Sequence, residues 1–373
     1  MSRVSVLMFP EPGHILPTLR IAQRLHRAGH SLTYLTTVPF RAGLGEMGFA
    51  HQTIFSHEAI TKQTAIETWP YETPLPAMDL WRDWGNRVGR ATSIRELIRA
   101  LALDELVPAV VKTKPDLLLC DSKIAAACGD IIERAVGVKI VALSTELPTG
   151  DATPWMELVL CPADLELPAV RHSGERRVYC EPSVWTERPS AAVRYDLNGK
   201  LLIYCSLGTQ AKSYPLAASV LRDVVSAFAN RPGVHVVVAA GALVDSPVLS
   251  LTAPNVQIVR SVDQLQVLSR ASIAILHGGL GGIKECILCG VPMLLVPFVF
   301  DQWPNADRVM FHGLGRIRPP SECTADVIRQ DVEQIIWGDN ACEQLIGMQA
   351  VFSAIEVEAP TAKYIDESLA SID

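Results

Sequence analysis

The chain has 373 residues, of which 49% are hydrophobic and 20% are charged, and its net charge is −7. This length predicts two domains of ordinary size, each with a buried core. The negative charge excludes a global basic surface of the kind that recruits nucleic acid, so an anionic ligand needs a local site. No apolar run reaches the roughly 20 residues of a membrane span.

The distribution of the cysteines and the N-terminal sequence both favour a cytoplasmic protein. The nine cysteines mostly lie inside apolar runs, which is typical of reduced, buried thiols. The apolar run at the N-terminus is too short for a signal peptide and is predicted to be a strand. Cys286 and Cys289 have CxxC spacing, but no second pair or nearby His completes a zinc site, so we assign them to helix packing and expect no metal.

Short apolar runs alternate with helical patterns along the whole chain. The first half predicts strands at 4–9, 31–37, 115–121 and 138–144, and helices at 15–29 and 122–137. The second half predicts strands at 200–206, 234–240, 255–261, 271–276 and 291–296, and helices near 215–230, at 282–289, at 304–312 and from about 324. Apolar strands separated by helices predict an α/β fold with two doubly wound parallel sheets.

The break between the two blocks is predicted at 181–199, which is rich in proline and charge and therefore suits a linker. The predicted domains are 1–180 and 200–345, and the helical tail 346–373 is expected to pack back on the first of them. Three tryptophans, Trp69, Trp81 and Trp84, lie in an irregular region at about 55–90. They predict either an apolar pocket for a bulky molecule or a small satellite core.

The stretch HGGLGGIKECILCG at 277–290 joins a predicted strand to a predicted helix. A glycine-rich turn before a helix lets backbone N–H groups approach an anion, and the helix dipole favours negative charge there. His277 at the strand end is suited to donate to the same phosphate, and Glu285 is suited to bind a ribose diol. The pattern is neither a P-loop nor a dinucleotide fingerprint. A tight turn that needs glycine only for packing is the alternative.

The surrounding residues, RSVDQLQVLSRASIAILHGGLGGIKECILCGVPMLLVPFVFDQWPNADRVMFHGLG at 260–315, resemble the nucleotide-sugar signature of family-1 glycosyltransferases. GHILPTLRIAQRLHRAGH at 13–30 and LLIYCSLGT at 201–209 also match this family. The resemblance implies a GT-B fold, in which two Rossmann-like domains face a cleft, and a nucleoside diphosphate sugar as co-substrate with no other cofactor. It is weakest across 55–100 and 145–185.

The resemblance also implies roles for individual residues on the donor side. The diphosphate is assigned to His277 and the amides around Gly278, Gly279, Gly281 and Gly282, with the turn Ser206, Gly208 and Thr209 facing it from the neighbouring strand. The ribose is assigned to Glu285, the base to Val262 and Gln264, and the sugar hydroxyls to Asp301 and Gln302. An acceptor carboxylate beside a two-way amide suits a neutral polyhydroxylated sugar.

Two positions depart from the family pattern. Gly282 stands where the family often has Ser, which removes one hydroxyl contact to the phosphate and predicts weaker donor binding. Ser261 stands where plant relatives have a tryptophan that stacks on the base. The choice between a UDP-sugar and a dTDP-sugar is therefore open.

On the acceptor side, His14 lies between the first strand and the helix that follows it. An imidazole with a pKa near neutrality is suited to remove a proton from an acceptor hydroxyl, and the family uses the His at this position in that role. A histidine of this type needs a carboxylate partner. Asp121, at a strand end, matches the family's partner position, whereas the alternative, Asp116, precedes the same strand.

The predicted function is metal-independent, inverting transfer of a hexose from UDP or dTDP to a hydroxyl of a hydrophobic small molecule. The alternatives are a lipid or cell-wall-intermediate transferase of the same fold, an epimerase of GT-B shape, and a non-catalytic nucleotide-sugar-binding or activator protein. Acceptor, sugar and oligomeric state are open, with a homodimer as the alternative to a monomer.

Overall fold

The computed structural model describes residues 1–9, 11–36, 44–45, 47–54, 95, 98–99, 102–148, 154–168, 170, 176–186, 197, 199–250 and 253–371. The chain divides into two compact units. Unit 1 comprises Met1–Cys161, His172–Trp185 and Glu358–Asp373, and unit 2 comprises Pro162–Arg171 and Thr186–Val357. Trp69, Trp81 and Trp84 lie outside the described residues.

The strands, in chain order, are β1 (Arg3–Leu7), β2 (Ser31–Thr36), β3 (Ala50–Thr53), β4 (Leu117–Asp121), β5 (Lys139–Ser144), β6 (Met156–Val159), β7 (Arg177–Tyr179), β8 (Leu201–Ser206), β9 (Val234–Ala239), β10 (Val256–Val259), β11 (Ile273–Leu276), β12 (Met293–Leu295) and β13 (Gly315–Ile317). The α-helices are α1 (Pro12–Arg27), α2 (Val107–Thr113), α3 (Ser122–Val136), α4 (Ala217–Phe228), α5 (Gln264–Leu268), α6 (Leu280–Cys289), α7 (Gln302–Phe311), α8 (Ala325–Trp337), α9 (Ala341–Glu358) and α10 (Pro360–Ala370).

In unit 1 the strands form one parallel sheet in the order β3-β2-β1-β4-β5-β6-β7. All five residues of β4, LLLCD, are buried, as expected for a central strand covered on both faces. The strand order reverses between β1 and β4, which pair in register from Val4 with Leu117 to Leu7 with Cys120. Ligands of doubly wound sheets bind beyond the carboxyl ends of the strands at such a reversal.

Unit 2 repeats this plan with a parallel sheet in the order β10-β9-β8-β11-β12-β13. The order reverses between β8 and β11, where Leu276 pairs with Ser206 at the carboxyl ends. The two parallel α/β sheets confirm the doubly wound fold class that the sequence predicts. The chain therefore has two strand-order reversals, and each one marks a candidate ligand edge.

The C-terminal helix α10 is attached to unit 1 through a buried carboxylate. Glu181 is 0% exposed and accepts hydrogen bonds from the Thr361 N–H (2.9 Å) and hydroxyl (2.6 Å) at the start of α10. Arg24 of α1 donates to the other carboxylate oxygen of Glu181 at 2.8 Å. The buried charge is thus paired and its oxygens are satisfied, which is the condition for burying a carboxylate.

Candidate active site

At the β1/β4 reversal of unit 1, two side chains predicted from the sequence lie in direct contact. His14 is in the first turn of α1, just after β1, and Asp121 is the last residue of β4. The Nδ1–H of His14 donates to Oδ2 of Asp121 at 2.7 Å. The other carboxylate oxygen of Asp121 accepts the Lys123 N–H at 2.9 Å, so Asp121 also caps α3.

The surroundings of His14 fix the orientation of its ring. His14 is 8% exposed, and its ring centroid lies 5.3 Å from that of Phe9. The hydroxyl of Thr145 lies 3.1 Å from Nδ1. Since Nδ1 contacts Asp121, Nε2 is the ring nitrogen on the other side of the imidazole. The alternative partner, Asp116, instead pairs with Arg3 at 3.0 Å at the other end of the strand.

A second carboxylate, which the sequence reasoning missed, lies at Nε2. Oε1 of Glu146 is 3.4 Å from Nε2 of His14 and 2.6 Å from Nζ of Lys123. Glu146 comes two residues after β5, which pairs with β4 in the sheet. The position of Glu146 could have been inferred from the sequence, because it follows the predicted strand 138–144. Neighbouring parallel strands end at the same edge of the sheet.

The two carboxylates change the ionisation of the imidazole. Burial alone would lower the pKa of His14, but the charges and hydrogen bonds of Asp121 and Glu146 outweigh it and raise this pKa to about 10. Burial opposes ionisation of Glu146, but His14 and Lys123 lower its pKa to about 2. This raised pKa favours the charged form of the imidazole, whereas the sequence predicts an imidazole with a pKa near neutrality.

At the β8/β11 reversal of unit 2, the imidazole of His277 is enclosed by glycines. A Cβ on Gly208 or on Gly279 would lie 2.6 Å from the imidazole of His277, so only glycine permits this approach. Gly208 also has φ +80° and Gly278 has φ +89°, in the left-handed region that glycine tolerates. The ring of Tyr214 stacks on His277 with centroids 6.4 Å apart.

His277 is electrically neutral and incompletely hydrogen-bonded. Its Nδ1 is buried without a hydrogen-bond partner among the described residues, and burial lowers its pKa to about 4. A neutral imidazole keeps one N–H donor and one acceptor nitrogen. Of the neighbouring turn, Ser206 and Gly208 are partly exposed and Thr209 is exposed.

The helix α6 begins directly after this turn, with Gly279 as its cap residue. Glycine has no side chain to cap the first N–H groups, so these donors are left for water or a ligand. A Cβ on Gly281 would meet nothing within 4 Å, whereas one on Gly282 would lie 3.2 Å from Leu276 Cδ1 and 3.6 Å from Gln264 Nε2. A small side chain at Gly282 therefore requires only a small shift of flexible groups.

Glu285, assigned to the ribose, lies at the end of a hydrogen-bonded chain. Gln264 Nε2 donates to Oε2 of Glu285 at 2.8 Å, and the Tyr204 hydroxyl donates to Oε1 of Gln264 at 2.9 Å. Val262, assigned to the base, is 4% exposed and precedes α5 by two residues. The structure thus brings Glu285 and Gln264 together on two helices of the same sheet edge.

The two residues assigned to the sugar begin helix α7 but differ in what they contact. Oε1 of Gln302 accepts from the N–H groups of Phe298 (2.8 Å) and Val299 (3.1 Å), and its Nε2 donates to the Tyr214 hydroxyl at 3.1 Å. Gln302 therefore holds the turn before α7. Asp301 accepts from Asn305 Nδ2 at 2.8 Å.

Helix α7 is anchored near its other end by an ion pair that spans distant parts of the sequence. Arg308 Nε donates to Oε1 of Glu166 at 2.6 Å, and the two residues are 3% and 1% exposed. The same Asn305 that contacts Asp301 donates to the Gly278 carbonyl at 3.1 Å. These contacts fix Asp301 and Gln302 beside the 277–279 turn.

Part of the chain matches a known protein family, and most of the chain matches a known glycosyltransferase. Residues 232–350 match the family described as erythromycin biosynthesis protein CIII-like, C-terminal domain. The oleandomycin glycosyltransferase of Streptomyces antibioticus is 25% identical, with 94% of this chain and 86% of that protein covered.

Two solved structures share the fold over nearly the whole chain. The glycotransferase of kitacinnamycin superposes with a TM-score of 0.76 at 23% identity and covers 99% of both chains. The spinosyn rhamnosyltransferase SpnG complexed with thymidine diphosphate superposes with a TM-score of 0.72 at 18% identity, covering 98% of this chain and 100% of that one.

The two sheets and these matches define a glycosyltransferase of the GT-B fold. Within that class, residues 232–350 are similar to the erythromycin biosynthesis protein CIII-like family, and most of the chain is similar to the oleandomycin glycosyltransferase, a bacterial enzyme. These similarities agree with the resemblance to glycosyltransferases that the sequence shows. No helix in the described part of the chain is both long and apolar enough to cross a membrane.

Proposed function

We propose that the protein transfers a hexose from a UDP- or dTDP-sugar to a hydroxyl of a hydrophobic small molecule, with inversion and with His14 as general base. The observation that carries this proposal is the 2.7 Å hydrogen bond between His14 Nδ1 and Asp121. A carboxylate on Nδ1 fixes the tautomer, directs Nε2 to the acceptor and stabilises the imidazolium that forms in the reaction. Such a pair serves proton removal better than it serves binding alone.

In the proposed reaction the acceptor O–H proton passes to a neutral Nε2 of His14. The acceptor oxygen bonds to the anomeric carbon as the bond from that carbon to the diphosphate breaks on the opposite face. Asp121 stabilises the charge left on the imidazole, and a single displacement inverts the anomeric centre. An α-linked donor therefore gives a β-glycoside.

The donor half of the proposal rests on unit 2. Negative charge that develops on the leaving diphosphate is assigned to the N–H groups at the start of α6 and to the turn at Ser206, Gly208 and Thr209. A neutral His277 can donate one hydrogen bond to the same group without strong attraction to the product diphosphate. Glu285 is proposed to hold the ribose hydroxyls and Asp301 the sugar hydroxyls, while a role for Gln302 requires release of one of its present contacts.

The nucleoside is proposed from the residues near the base position and from a relative. Ser261 offers no aromatic ring to stack on the base, and the SpnG structure contains thymidine diphosphate. Both points support testing dTDP-sugars beside UDP-sugars. Trp69, Trp81 and Trp84 stay proposed as walls of the acceptor site.

The function is tested by measuring the thermal shift of the protein with uridine, thymidine and guanosine diphosphates and their sugars. A nucleotide that raises the melting temperature is then incubated as its sugar with hydrophobic aglycones, and the products are read by mass spectrometry. We expect a shift with UDP or dTDP and a mass gain of one hexosyl unit on a hydroxylated aglycone. No shift with any nucleotide would contradict the donor site.

The same assay separates the alternatives. Binding without turnover on any acceptor favours the nucleotide-sugar-binding or activator protein. Turnover only on lipid-linked acceptors favours the lipid or cell-wall transferase, and isomerisation of the donor sugar without acceptor favours an epimerase.

Gly282→Ser is expected to strengthen donor binding by about 2- to 10-fold, since one neutral hydrogen bond contributes roughly 0.5 to 1.5 kcal/mol. A Cβ at this position lies 3.2 Å from Leu276 Cδ1 and at an ordinary contact distance of 3.6 Å from Gln264 Nε2, so the fold tolerates the change with a shift of a few tenths of an ångström at Leu276. The measurement is the dissociation constant of the nucleoside diphosphate by titration calorimetry. Gly282→Ala is the matched control, because it adds the same Cβ without the hydroxyl. Equal affinities for the serine and alanine variants would show that no phosphate oxygen is within reach of position 282.

A further inference from the structure

The charged groups around His14 affect access to its imidazole as well as its orientation. A general base must have its acceptor oxygen within about 2.6–3.2 Å of the proton-accepting nitrogen. Nδ1 faces Asp121, so Nε2 is the nitrogen left for the acceptor. The carboxylate oxygen Oε1 of Glu146 lies 3.4 Å from this same Nε2, within ion-pair distance.

We propose that Glu146 is a positioning residue that pairs with the Nε2 nitrogen of His14, so that an acceptor hydroxyl must displace this carboxylate before His14 can act as base. The catalytic part of this inference rests on the proposed function. The contacts from which it is argued all lie in unit 1. A charged imidazole has no lone pair at Nε2 and cannot remove a proton. With Glu146 paired at Nε2, His14 is therefore held in a form that cannot act as base.

Lys123 provides the position to which Glu146 withdraws. Its Nζ already lies 2.6 Å from the same Oε1 that faces His14, so a small rotation away from the imidazole keeps the lysine ion pair. The side chain of Glu146 is 27% exposed and that of Lys123 is 51% exposed, so neither is packed in place. Asp121, by contrast, is 1% exposed and is held by the Lys123 N–H as well as by His14. Glu146 is the carboxylate that can move, and Asp121 is the one that stays.

The remaining charged neighbour is Glu11, the residue before α1. Burial raises the pKa of Glu11, and the charges of Glu146 and Asp121 raise it further against the opposing effects of His14 and Lys123. Glu11 therefore gains a proton more readily than an ordinary glutamate and contributes less negative charge to His14 than the two carboxylates in contact with it.

Proton balance in the proposed cycle is simple. When Glu146 withdraws, the Nε2 proton of the imidazolium is released to water. The neutral Nε2 then takes the acceptor O–H proton as the glycosidic bond forms and the bond to the diphosphate breaks. The imidazolium that results keeps this proton, so release of the product lets Glu146 return to the charged ring, and one proton in all goes to water in each turnover.

The test follows the titration of His14 directly, in the full chain, by NMR of ¹³C-labelled histidine, with the His14 signal assigned by its loss in His14→Asn. In Glu146→Gln we expect the titration midpoint to fall by about 1 to 3 units, the range for loss of a close opposite charge. Glu146→Asp keeps the charge on a side chain one methylene shorter and is expected to give an intermediate midpoint. An unchanged midpoint in Glu146→Gln overturns the inference.

A double-variant cycle separates this role from general loss of structure. Lys123→Met removes the cation that competes for Glu146 and is expected to raise the His14 midpoint. The same change in the Glu146→Gln background is expected to have a much smaller effect, because no carboxylate remains for the lysine to attract. An equal effect of Lys123→Met in both backgrounds overturns the inference.

Activity gives the second readout. The rising limb of kcat/KM against pH is expected to shift to lower pH in Glu146→Gln by the same amount as the NMR midpoint, so turnover at neutral pH increases. A rising limb that stays in place while the midpoint moves overturns the part of the inference that concerns the acceptor. A midpoint that moves in a protein with no transferase activity in any variant, wild type included, instead contradicts the proposed function.

Discussion

Replacing His14 by alanine is expected to reduce the rate of sugar transfer by about 100- to 10,000-fold, the usual contribution of a general base. The acceptor hydroxyl would then have no group to receive its proton as the new bond forms. Donor binding is expected to change little, because the residues assigned to the nucleotide sugar belong to unit 2 and His14 belongs to unit 1. The measurements are kcat by product analysis and the nucleotide dissociation constant by calorimetry.

The matched control for this variant is His26→Ala. His26 lies on the same helix α1, is exposed and makes only an edge contact with Phe49, with ring centroids 6.3 Å apart. It tests whether loss of any histidine from α1 affects turnover. Asp121→Asn is the informative companion, because it keeps the shape but no longer favours the Nδ1–H tautomer, and it is expected to reduce kcat as well. Turnover by His14→Ala equal to that of His26→Ala would remove His14 from the mechanism.

The parts of the candidate site that follow directly from strand ends could be predicted from the sequence. The predicted strands 115–121 and 271–276 contain the apolar runs LLLC and IAIL, each bounded by polar residues, so their carboxyl ends, at Asp121 and before His277, are visible without a structure. Because all strands of a parallel sheet end at the same edge, the contact between His14 and Asp121 follows from two such ends. The structure adds the distance, which is 2.7 Å between His14 Nδ1 and Asp121 Oδ2.

Other parts depend on contacts that leave no local pattern. The strands β6 and β7 were not predicted, since MELV and RVY are short and each contains a charged residue. Those charges, Glu157 and Arg177, pair across the two strands at 2.7 Å with side chains 4% and 10% exposed. A lone charge in a short strand is indistinguishable from loop sequence until its partner is known.

The same limit applies to the ionisation of His14 and to the role of Gln302. Glu146 lies 132 positions beyond His14 in the chain, and only the pairing of β4 with β5 brings it close. Gln302 was assigned to a sugar hydroxyl, but the conformation of the turn at Phe298 and Val299 directs two backbone N–H groups at its carbonyl oxygen. Side-chain identity and order can suggest a role, but the competing contacts appear only in three dimensions.

Replacing Gly208 by alanine is expected to weaken nucleotide binding by at least about 10-fold and to lower the melting temperature. Gly208 has φ +80°, where a Cβ costs about 1–2 kcal/mol. The new Cβ would also lie 2.6 Å from Cε1 and Nε2 of His277, well inside van der Waals contact. The imidazole cannot simply move aside, because Gly279 approaches it as closely and Tyr214 stacks on it.

Gly233→Ala separates the two causes. Gly233 lies in the same unit, also has φ +80°, and a Cβ there would meet nothing within 4 Å. It therefore carries the backbone strain without the collision, so the difference between the two variants isolates the contact with His277. In the Gly208→Ala background, His277→Ala is expected to recover melting temperature, since the collision is gone, but not nucleotide affinity, since the donor is gone with it. If Gly208→Ala matched Gly233→Ala in both stability and binding, the enclosure of His277 by glycines would have no part in holding the donor.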